Sequence, residues 1–206
     1  TRISGYMLET ALQAEIIASG VNVRLVGPMP TPAISYLANS FKKEAGVVIS
    51  ASHNSYEDNG IKFFNDNGKK ISDSLEERIE KKLAEEMTVV EAKDLGKAAR
   101  ISDANGRYIE FCKSCLKRDV NFSSLKIVLD VANGAAYDVA PKVFKELGAD
   151  LIVIADKPNG MNINKKCGST FPQKIRSIVK KNKADIGISL DGDADRIIMC
   201  DEIGNI

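Results

Sequence analysis

Three aspartates at alternate positions, Asp191, Asp193 and Asp195, follow directly after an apolar run at residues 186–190. Carboxylate oxygens are the ligands that hard divalent cations such as Mg²⁺ and Ca²⁺ take in proteins. In an extended segment, residues i, i+2 and i+4 project to the same side, so we expect the three carboxylates to converge. Three like charges so close together need a cation or a basic partner to offset their repulsion. The segment therefore predicts an all-oxygen cation site, with a solvated acidic turn as the alternative.

A second group that could do chemistry is the polar loop at residues 50–54, which follows a β-branched strand at residues 46–49. In open α/β folds, functional groups collect beyond the carboxyl ends of strands, so Ser52 is placed where a substrate could reach it. His53 is the one histidine of the chain. A Ser-His-Asp hydrolase is disfavoured, because the chain has no Gly-x-Ser-x-Gly elbow and adjacent residues rarely align imidazole and hydroxyl.

Three segments together resemble the α-D-phosphohexomutase superfamily: SASHN at residues 50–54, DNGIKF at 58–63 and DGDADR at 191–196. Further segments are similar to the bacterial phosphoglucosamine mutase family within it: GPMPTP at 27–32, GRYIEF at 106–111, PNGMNIN at 158–164 and CGST at 167–170. The resemblance runs through nearly the whole chain.

Two positions depart from the family pattern, and both spare the chemical groups. Ser55 stands where the family usually has Pro, and Ala194 replaces the commoner second Gly of DGDGDR. Loss of the proline could loosen the loop around Ser52. A Cβ at position 194 narrows the backbone angles that the aspartate segment can adopt.

The resemblance implies that Ser52 carries a phosphoryl group in the active enzyme. It also implies that this phosphate binds one Mg²⁺ together with Asp191, Asp193 and Asp195. Physical chemistry agrees with this assignment, because phosphoserine is close to a dianion and Mg²⁺ prefers carboxylate and phosphate oxygens.

The resemblance also assigns catalytic roles to basic residues. Lys62 and His53 would move protons to and from the sugar hydroxyl, with Lys62 preferred, while Arg196 would pair with the phosphoserine. Arg2 and Ser4 resemble an Arg-x-Ser motif near the active site. Ser4 is also a good N-cap for the first helix, and that explanation is enough for its hydroxyl.

The implied reaction interconverts glucosamine 6-phosphate and glucosamine 1-phosphate through a glucosamine 1,6-bisphosphate intermediate, and it would supply the precursor of UDP-N-acetylglucosamine for cell-wall synthesis. The partner would be a small-molecule sugar phosphate, and the family resemblance makes a homodimer plausible. A phosphoglucomutase or phosphomannomutase is the nearer alternative.

Other classes also account for part of the acidic segment. In an EF-hand, Asp191, Asp193 and Asp195 would be positions 1, 3 and 5, and Glu202 would be position 12. Position 6, however, is Arg196 instead of Gly, and the flanks are strand-like. A noncatalytic Ca²⁺-binding module is thus the main alternative from another class. An aspartate-nucleophile phosphatase would leave the loop at residues 50–54 unexplained.

Composition is ordinary for a globular protein. The chain has 206 residues, 44% hydrophobic and 28% charged, with a formal net charge of +1. That charge and the lack of a basic cluster among aromatics disfavour nucleic-acid binding. No apolar run approaches the length of a membrane span, and no signal peptide is evident, so we expect no membrane association and a cytoplasmic location. Cys112 and Cys115 have a metal-like spacing but no second pair, so free thiols are the better interpretation.

Alternating β-branched runs and amphipathic segments predict an α/β fold with two consecutive three-layer α/β domains and mixed, mostly parallel sheets. The first domain would span residues 1–104 and contain the phosphoserine loop, and the second would span residues 105–206 and contain the metal-binding loop. By resemblance these are the first two of four domains. Sugar recognition and a phosphate-binding loop would belong to the third and fourth, so we expect little or no turnover from residues 1–206 alone.

The expected strands are 21–26, 46–49, 125–131, 151–154 and 186–190. One expected helix begins near Ser4, and a short second helix follows the turn through Pro32 and ends at Ala38. The other expected helices cover 74–86, 106–116, 135–147 and 172–181.

Overall fold

The computed structural model describes residues 1–206 as an α/β structure with three small sheets. The helices are α1 (Ile3–Ala18), α2 (Thr31–Ser40), α3 (Asp73–Lys82), α4 (Ala104–Ser114), α5 (Val139–Glu146) and α6 (Pro172–Asn182). The strands are β1 (Val23–Leu25), β2 (Ala45–Ile49), β3 (Ile61–Asn65), β4 (Ala98–Arg100), β5 (Lys126–Asp130), β6 (Asp150–Ile154), β7 (Ile186–Leu190) and β8 (Ile197–Asp201). No helix combines the length and the apolar content that crossing a membrane requires.

The second half of the chain forms a four-stranded sheet in the order β6-β5-β7-β8. The first three strands are parallel, and β8 returns antiparallel to β7. The central strand β5 is apolar on both faces, and Ile127, Val128 and Leu129 are buried there. Helix α6 covers one face through Ile175 and Val179, while α5 covers the other, which gives three layers. The carboxyl ends of β5 and β7 consequently lie side by side.

The first half contains a parallel pair, β1 and β4, and an antiparallel pair, β2 and β3. The β2–β3 register places Ile49 opposite Ile61, so the intervening residues 50–60 form a connection at the end of β2. Helix α2 begins with Pro at its second position, which fits the fixed φ of proline in a first helical turn. One hydrophobic cluster draws on α2, α4 and α5, and therefore joins the two halves: Met29, Ala33, Leu37, Ala104, Tyr108, Ile109 and Val139.

The predicted α/β class with mixed, mostly parallel sheets is confirmed, and several element boundaries are corrected. Helix α1 begins at Ile3 with Arg2 as the residue before it, so Ser4 is not its N-cap. The Ser4 hydroxyl instead accepts a hydrogen bond from Asn59 Nδ2 at 3.0 Å. Strand β1 is shorter than predicted, and α5 starts four residues later because residues 131–138 form turns. Strands β3 and β4 lie where the sequence predicts no strand: β3 pairs antiparallel with its neighbour β2 across residues 50–60, whereas the short β4 depends on β1, which is distant in sequence.

Candidate active site

The three aspartates lie in the metal loop (residues 191–196), between β7 and β8. Asp191 and Asp193 are buried, Asp195 is exposed, and one ligand oxygen from each lies within 4.8 Å of the others. The expected convergence occurs, but the extended conformation given as its reason is wrong. The segment is a turn in which Ala194 has a left-handed φ of 57°, and the Ala194 N–H donates to the Asp191 carbonyl oxygen at 3.1 Å.

Asp191 organises this turn with one of its two carboxylate oxygens. Oδ1 accepts hydrogen bonds from the backbone N–H groups of Asp195 and Arg196, both at 3.2 Å. The Asp191 N–H in turn donates to the Arg196 carbonyl oxygen at 3.3 Å. Oδ2 is left to face outward from the turn, toward the first half of the chain.

Ser52 meets Asp191 across 139 residues of sequence, in the serine loop (residues 50–55) that follows β2. The Ser52 hydroxyl donates to Asp191 Oδ2 at 2.5 Å, and Asp195 Oδ1 lies 3.4 Å from Ser52 Oγ. Ser52 is 7% exposed and has a φ of 47°, in the left-handed region that side chains other than Gly rarely adopt. The structure thus brings together the serine and the three aspartates that the sequence predicted as one site.

Lys62 on β3 supplies the positive charge of this cluster. Its Nζ lies 2.7 Å from Asp193 Oδ2 and 3.4 Å from Asp195 Oδ2. Burial opposes the charge of Lys62, but the hydrogen bond and attraction to Asp193 outweigh it, so the pKa of Lys62 is raised. The pKa of Asp193 is lowered because the bonds from Lys62 and Thr31 outweigh its burial. Lys62 therefore stays an ammonium in this arrangement.

Thr31 is a site residue that the sequence reasoning missed. Its hydroxyl donates to Asp193 Oδ2 at 2.8 Å, and its N–H donates to the Asp193 carbonyl oxygen at 2.9 Å. The available signal was its position, since a hydroxyl residue opening a helix shortly after a strand lies at a strand's carboxyl end. Thr31 ties the first turn of α2 to the metal loop.

The donor set fits a hard divalent cation. Asp193 Oδ1 is buried and has no hydrogen-bond partner, which is costly for a carboxylate oxygen unless something else binds there. Burial raises the pKa of Asp191, and the charges of Asp193 and Asp195 raise it further against the Ser52 hydrogen bond. A cation would relieve both the unpartnered oxygen and the repulsion. The residues that could hold it are Asp191, Asp193, Asp195 and the oxygen of Ser52.

The Arg2 side chain binds backbone carbonyl oxygens of the serine loop. Its guanidinium donates to the carbonyl oxygens of Ser52 at 3.0 Å and Asn54 at 2.9 Å, and more weakly to Ser55 O at 3.3 Å. A further nitrogen lies 3.5 Å from Ser50 Oγ. Arg2 is 4% exposed, and burial lowers its pKa against the attraction of nearby aspartates. These contacts support the loop that presents the serine, and the catalytic role that the resemblance gives Arg2 stays a prediction.

His53 and Arg196 lie at the edge of the cluster. The His53 side chain is exposed and forms no hydrogen bond within the structure. The Arg196 side chain is 58% exposed, and its nearest ion-pair contact joins Nε to Asp195 Oδ1 at 3.8 Å. Only the backbone of Arg196 contributes to the metal loop. Their roles in proton transfer and phosphate pairing stay predictions.

The alternatives drawn from the acidic segment and the cysteines find little support. The metal loop is flanked by strands β7 and β8, whereas an EF-hand loop lies between two helices. Cys112 is half-buried and Cys115 is exposed, while Cys167 and Cys200 are buried. All four thiols are free, and none belongs to a group of residues that could hold a metal ion.

Comparison with known proteins gives matches along the chain. The profile described as phosphoglucomutase/phosphomannomutase, alpha/beta/alpha domain I, matches residues 1–89, and that of domain II matches residues 106–204. The chain is 58% identical over 204 residues to a phosphoglucosamine mutase of Coxiella burnetii, covering 99% of this chain and 46% of that protein. It is 57% identical to a phosphoglucosamine mutase of Pseudomonas fluorescens, covering 100% of this chain and 46% of that protein.

A solved structure is also similar over the full chain. It is a phosphoglucomutase/phosphomannomutase family protein from Burkholderia thailandensis, with a TM-score of 0.84 and 27% sequence identity. The match covers 100% of this chain and 45% of that one. The chain thus spans about half the length of the curated relatives that it matches.

Proposed function

This chain belongs to the phosphoglucomutase/phosphomannomutase family, and from that premise we propose that it carries the phosphoserine and the metal site of a phosphosugar mutase acting on glucosamine phosphate. The observation that carries the proposal is the 2.5 Å contact between Ser52 Oγ and Asp191 Oδ2, which joins a strand-end serine to a carboxylate cluster 139 residues away. The names of the 57–58% identical relatives support glucosamine 6-phosphate and glucosamine 1-phosphate as the sugar phosphates.

In the proposed reaction, Ser52 Oγ carries the phosphoryl group in the resting enzyme. The bond between Ser52 Oγ and phosphorus breaks as a sugar hydroxyl oxygen bonds to phosphorus, and the hydroxyl proton passes to a base. The resulting glucosamine 1,6-bisphosphate then returns its other phosphoryl group to Ser52. The bond between that phosphorus and the sugar oxygen breaks as Ser52 Oγ bonds to phosphorus, the Ser52 hydroxyl gives up its proton, and the leaving sugar oxygen takes one up. The Ser52 hydroxyl, which donates to Asp191 in the structure, is held for that second transfer.

Three carboxylates and the Ser52 oxygen would hold one Mg²⁺, which when bound withdraws negative charge from the phosphoryl group during transfer. Lys62 supports the same site, because its ammonium offsets the charge of Asp193 and Asp195. The resemblance gives Lys62 a part in moving the sugar hydroxyl proton, but its raised pKa keeps it protonated and makes it a weak acid, so its ammonium is better suited to offsetting negative charge. We propose that His53 moves the proton of the sugar hydroxyl and that Arg196 pairs with the phosphoserine, once substrate covers these exposed side chains.

The proposal includes the predicted division into residues 1–104 and 105–206. It is made for a protein that continues through the length of the relatives, because the chain spans 46% of them. It also includes a cytoplasmic location, a sugar phosphate as the small-molecule partner and a homodimer.

The test is a turnover assay on a full-length protein that carries this sequence, with Mg²⁺, a trace of the matching bisphosphate and the 1-phosphates of glucosamine, glucose and mannose. We expect kcat/KM for glucosamine phosphate to exceed the other two by at least about tenfold. Asp193→Asn should abolish turnover. Asp150→Asn, a change at an exposed carboxylate with no side-chain hydrogen bond, should retain it.

Two results would contradict the proposal. A preference for glucose or mannose phosphate would indicate a phosphoglucomutase or phosphomannomutase. Absence of turnover with all three sugars, together with Ca²⁺ binding and no phosphate on Ser52, would indicate the noncatalytic binding module.

A further inference from the structure

The serine loop is held from two directions at the same two backbone atoms. The carbonyl oxygens of Ser52 and Asn54 each accept a hydrogen bond from Arg2 Nη2. Each also accepts one from Asn164 Nδ2, both at 3.0 Å. Arg2 precedes α1 in the first half of the chain, whereas Asn164 lies 112 residues beyond Ser52 in the second half. Asn164 therefore binds the backbone of the serine loop from the half that carries the metal loop, whereas Asp191 and Asp195 from that half contact the Ser52 hydroxyl.

Asn164 is itself anchored to the end of the central strand β5. Its backbone N–H donates to the Ala132 carbonyl oxygen at 2.9 Å, and its φ of 57° is left-handed. Preceding it, Ile163 is buried at 3% exposure. Asn133, next to Ala132, donates from Nδ2 to the Asn162 carbonyl oxygen at 3.2 Å. The backbone of Asn164 is thus anchored at the carboxyl end of β5. That end lies beside the carboxyl end of β7, where the metal loop begins.

Asn164 also lies at the point where the serine loop and the metal loop touch. A methyl group built on Gly192 would come within 2.6 Å of the Ser52 carbonyl oxygen and 2.8 Å of Asn164 Nδ2. Only glycine permits this approach, because any Cβ would displace backbone atoms on the opposite side. The two loops and Asn164 therefore form one close-packed junction.

The orientation of the Asn164 amide follows from its partners. Two carbonyl oxygens face it, and only the NH₂ group can donate to both. Without those bonds, the two carbonyl oxygens would keep only the bonds from Arg2. Ser52 holds a left-handed φ of 47°, a strained conformation that persists only when the surroundings fix it. Rotation of that residue would move its hydroxyl away from Asp191.

We infer that Asn164 is a positioning residue, which fixes the serine loop against the metal loop so that the oxygen of Ser52 faces the carboxylates. The consequence of this positioning for phosphoryl transfer rests on the function proposed above. The effect of Asn164 on the serine loop does not rest on it, because the hydrogen bonds are present whatever reaction the loop takes part in. Asn164 is not among the residues predicted to act in catalysis or to bind the metal.

The experiment compares Asn164→Ala, Asn164→Asp and the wild type in the full-length protein by hydrogen exchange of the backbone amides. The matched control is Asn159→Ala, since Asn159 lies in the same segment, is exposed and bonds only to Met161 N–H and Asn162 within it. We expect the amides of residues 52–56 to exchange at least about tenfold faster in Asn164→Ala, and at the wild-type rate in Asn159→Ala. Asn164→Asp should be more severe, because a carboxylate there faces two carbonyl oxygens without a donor.

Turnover supplies the second measurement. Misplacement of a reacting group by about 1 Å reduces rates by about 100-fold, so we expect kcat of Asn164→Ala to fall about 10- to 100-fold with KM nearly unchanged. A structural defect alone would instead lower the amount of folded enzyme and leave kcat per folded molecule as it was.

Each outcome tests either the inference about the loop or its link to phosphoryl transfer. Unchanged exchange at residues 52–56 in both Asn164 variants overturns the inference, and so does faster exchange spread equally over β5 and β7. Locally faster exchange with an unchanged kcat overturns the link to transfer. If the wild type turns over no sugar phosphate, the proposed function has failed, and the exchange measurement still tests what Asn164 does to the loop.

Discussion

The metal loop and the serine loop reach their geometry in opposite ways. The metal loop is organised largely by its own residues, since Asp191 caps the N–H groups of Asp195 and Arg196 within six positions of sequence. The serine loop is held by donors 50 and 112 residues away, Arg2 and Asn164. The carboxylate that shapes the turn of the metal loop is thus local in sequence, whereas the side chains that hold the carbonyl oxygens of Ser52 and Asn54 come from far away in the chain.

This difference predicts how the two loops respond to substitution. Changes in the metal loop should alter cation binding and leave the serine loop ordered. Changes in Arg2 or Asn164 should disorder the serine loop, leave the three carboxylates in place, and weaken cation binding only through the lost oxygen of Ser52. Asp191 is the exception, because one of its oxygens serves each loop.

The largest effect is expected for Asp191→Asn. Loss of a contact that only supports a metal ligand weakens affinity 10- to 100-fold, so loss of a ligand's charge should weaken Mg²⁺ binding by at least about 100-fold. Isothermal titration of the full-length protein with Mg²⁺ measures this, with Asp150→Asn as the control. An affinity within about tenfold of wild type would contradict the assignment of Asp191 as a ligand.

Arg2→Ala should act on the other loop. Hydrogen bonds from a buried charged group are worth about 1.5–3 kcal/mol each, so we expect a loss of about 2–3 kcal/mol in the free energy of unfolding after partial relaxation. Denaturant unfolding measures it. Arg2→Lys should restore less than half, because one ammonium cannot match the planar fork that reaches Ser52 and Asn54. A fall in Mg²⁺ affinity in Arg2→Ala as large as that in Asp191→Asn would show that the carboxylates had also moved, and would contradict the proposed independence of the two loops.

Alkaline pH should weaken the packing next to the metal loop. Burial, with a contribution from Asp130, raises the pKa of Cys167 to about 11 from the usual 9.0. Since the unfolded thiol ionises first, this contribution to stability is complete below pH 9.0 and is lost as the pH rises toward about 11. We expect a loss of up to about 1 kcal/mol per pH unit in that window, measured against Cys167→Ala. Equal slopes for the two proteins would contradict it.

Ala194→Gly should have the smallest effect. A left-handed residue with a Cβ costs about 1–2 kcal/mol, and glycine loses about 0.5–1 kcal/mol through chain entropy. The net gain in stability should therefore lie between about 0 and 1.5 kcal/mol, with unchanged Mg²⁺ affinity. Thermal unfolding measures this gain, and Ala194→Val should be destabilised instead. A stabilised valine variant would show that position 194 is not left-handed.

The same contrast explains what the sequence could predict. The α/β class, the strand at residues 186–190 and the clustering of Asp191, Asp193 and Asp195 follow from local patterns, although the turn that gathers them was mistaken for an extended segment. Ser52 was predicted from its place after a strand and from family resemblance.

The remaining features depend on partners far away in the chain. Strand β4 is defined by pairing with β1, and Thr31 acquires its role through a contact 162 residues away. Asn164 ends the family-like segment at residues 158–164, but nothing in that segment indicates which backbone atoms its side-chain amide binds. Side chains that bond to distant carbonyl oxygens leave no periodicity or spacing to detect.

The most direct test of the central claim is phosphopeptide mapping of the full-length protein after incubation with Mg²⁺ and glucosamine 1,6-bisphosphate, with Ser52→Ala alongside. The account predicts one phosphoryl group on Ser52 and none in the same peptide of the variant. An unmodified Ser52, or an equal phosphate signal elsewhere in the Ser52→Ala protein, would contradict it.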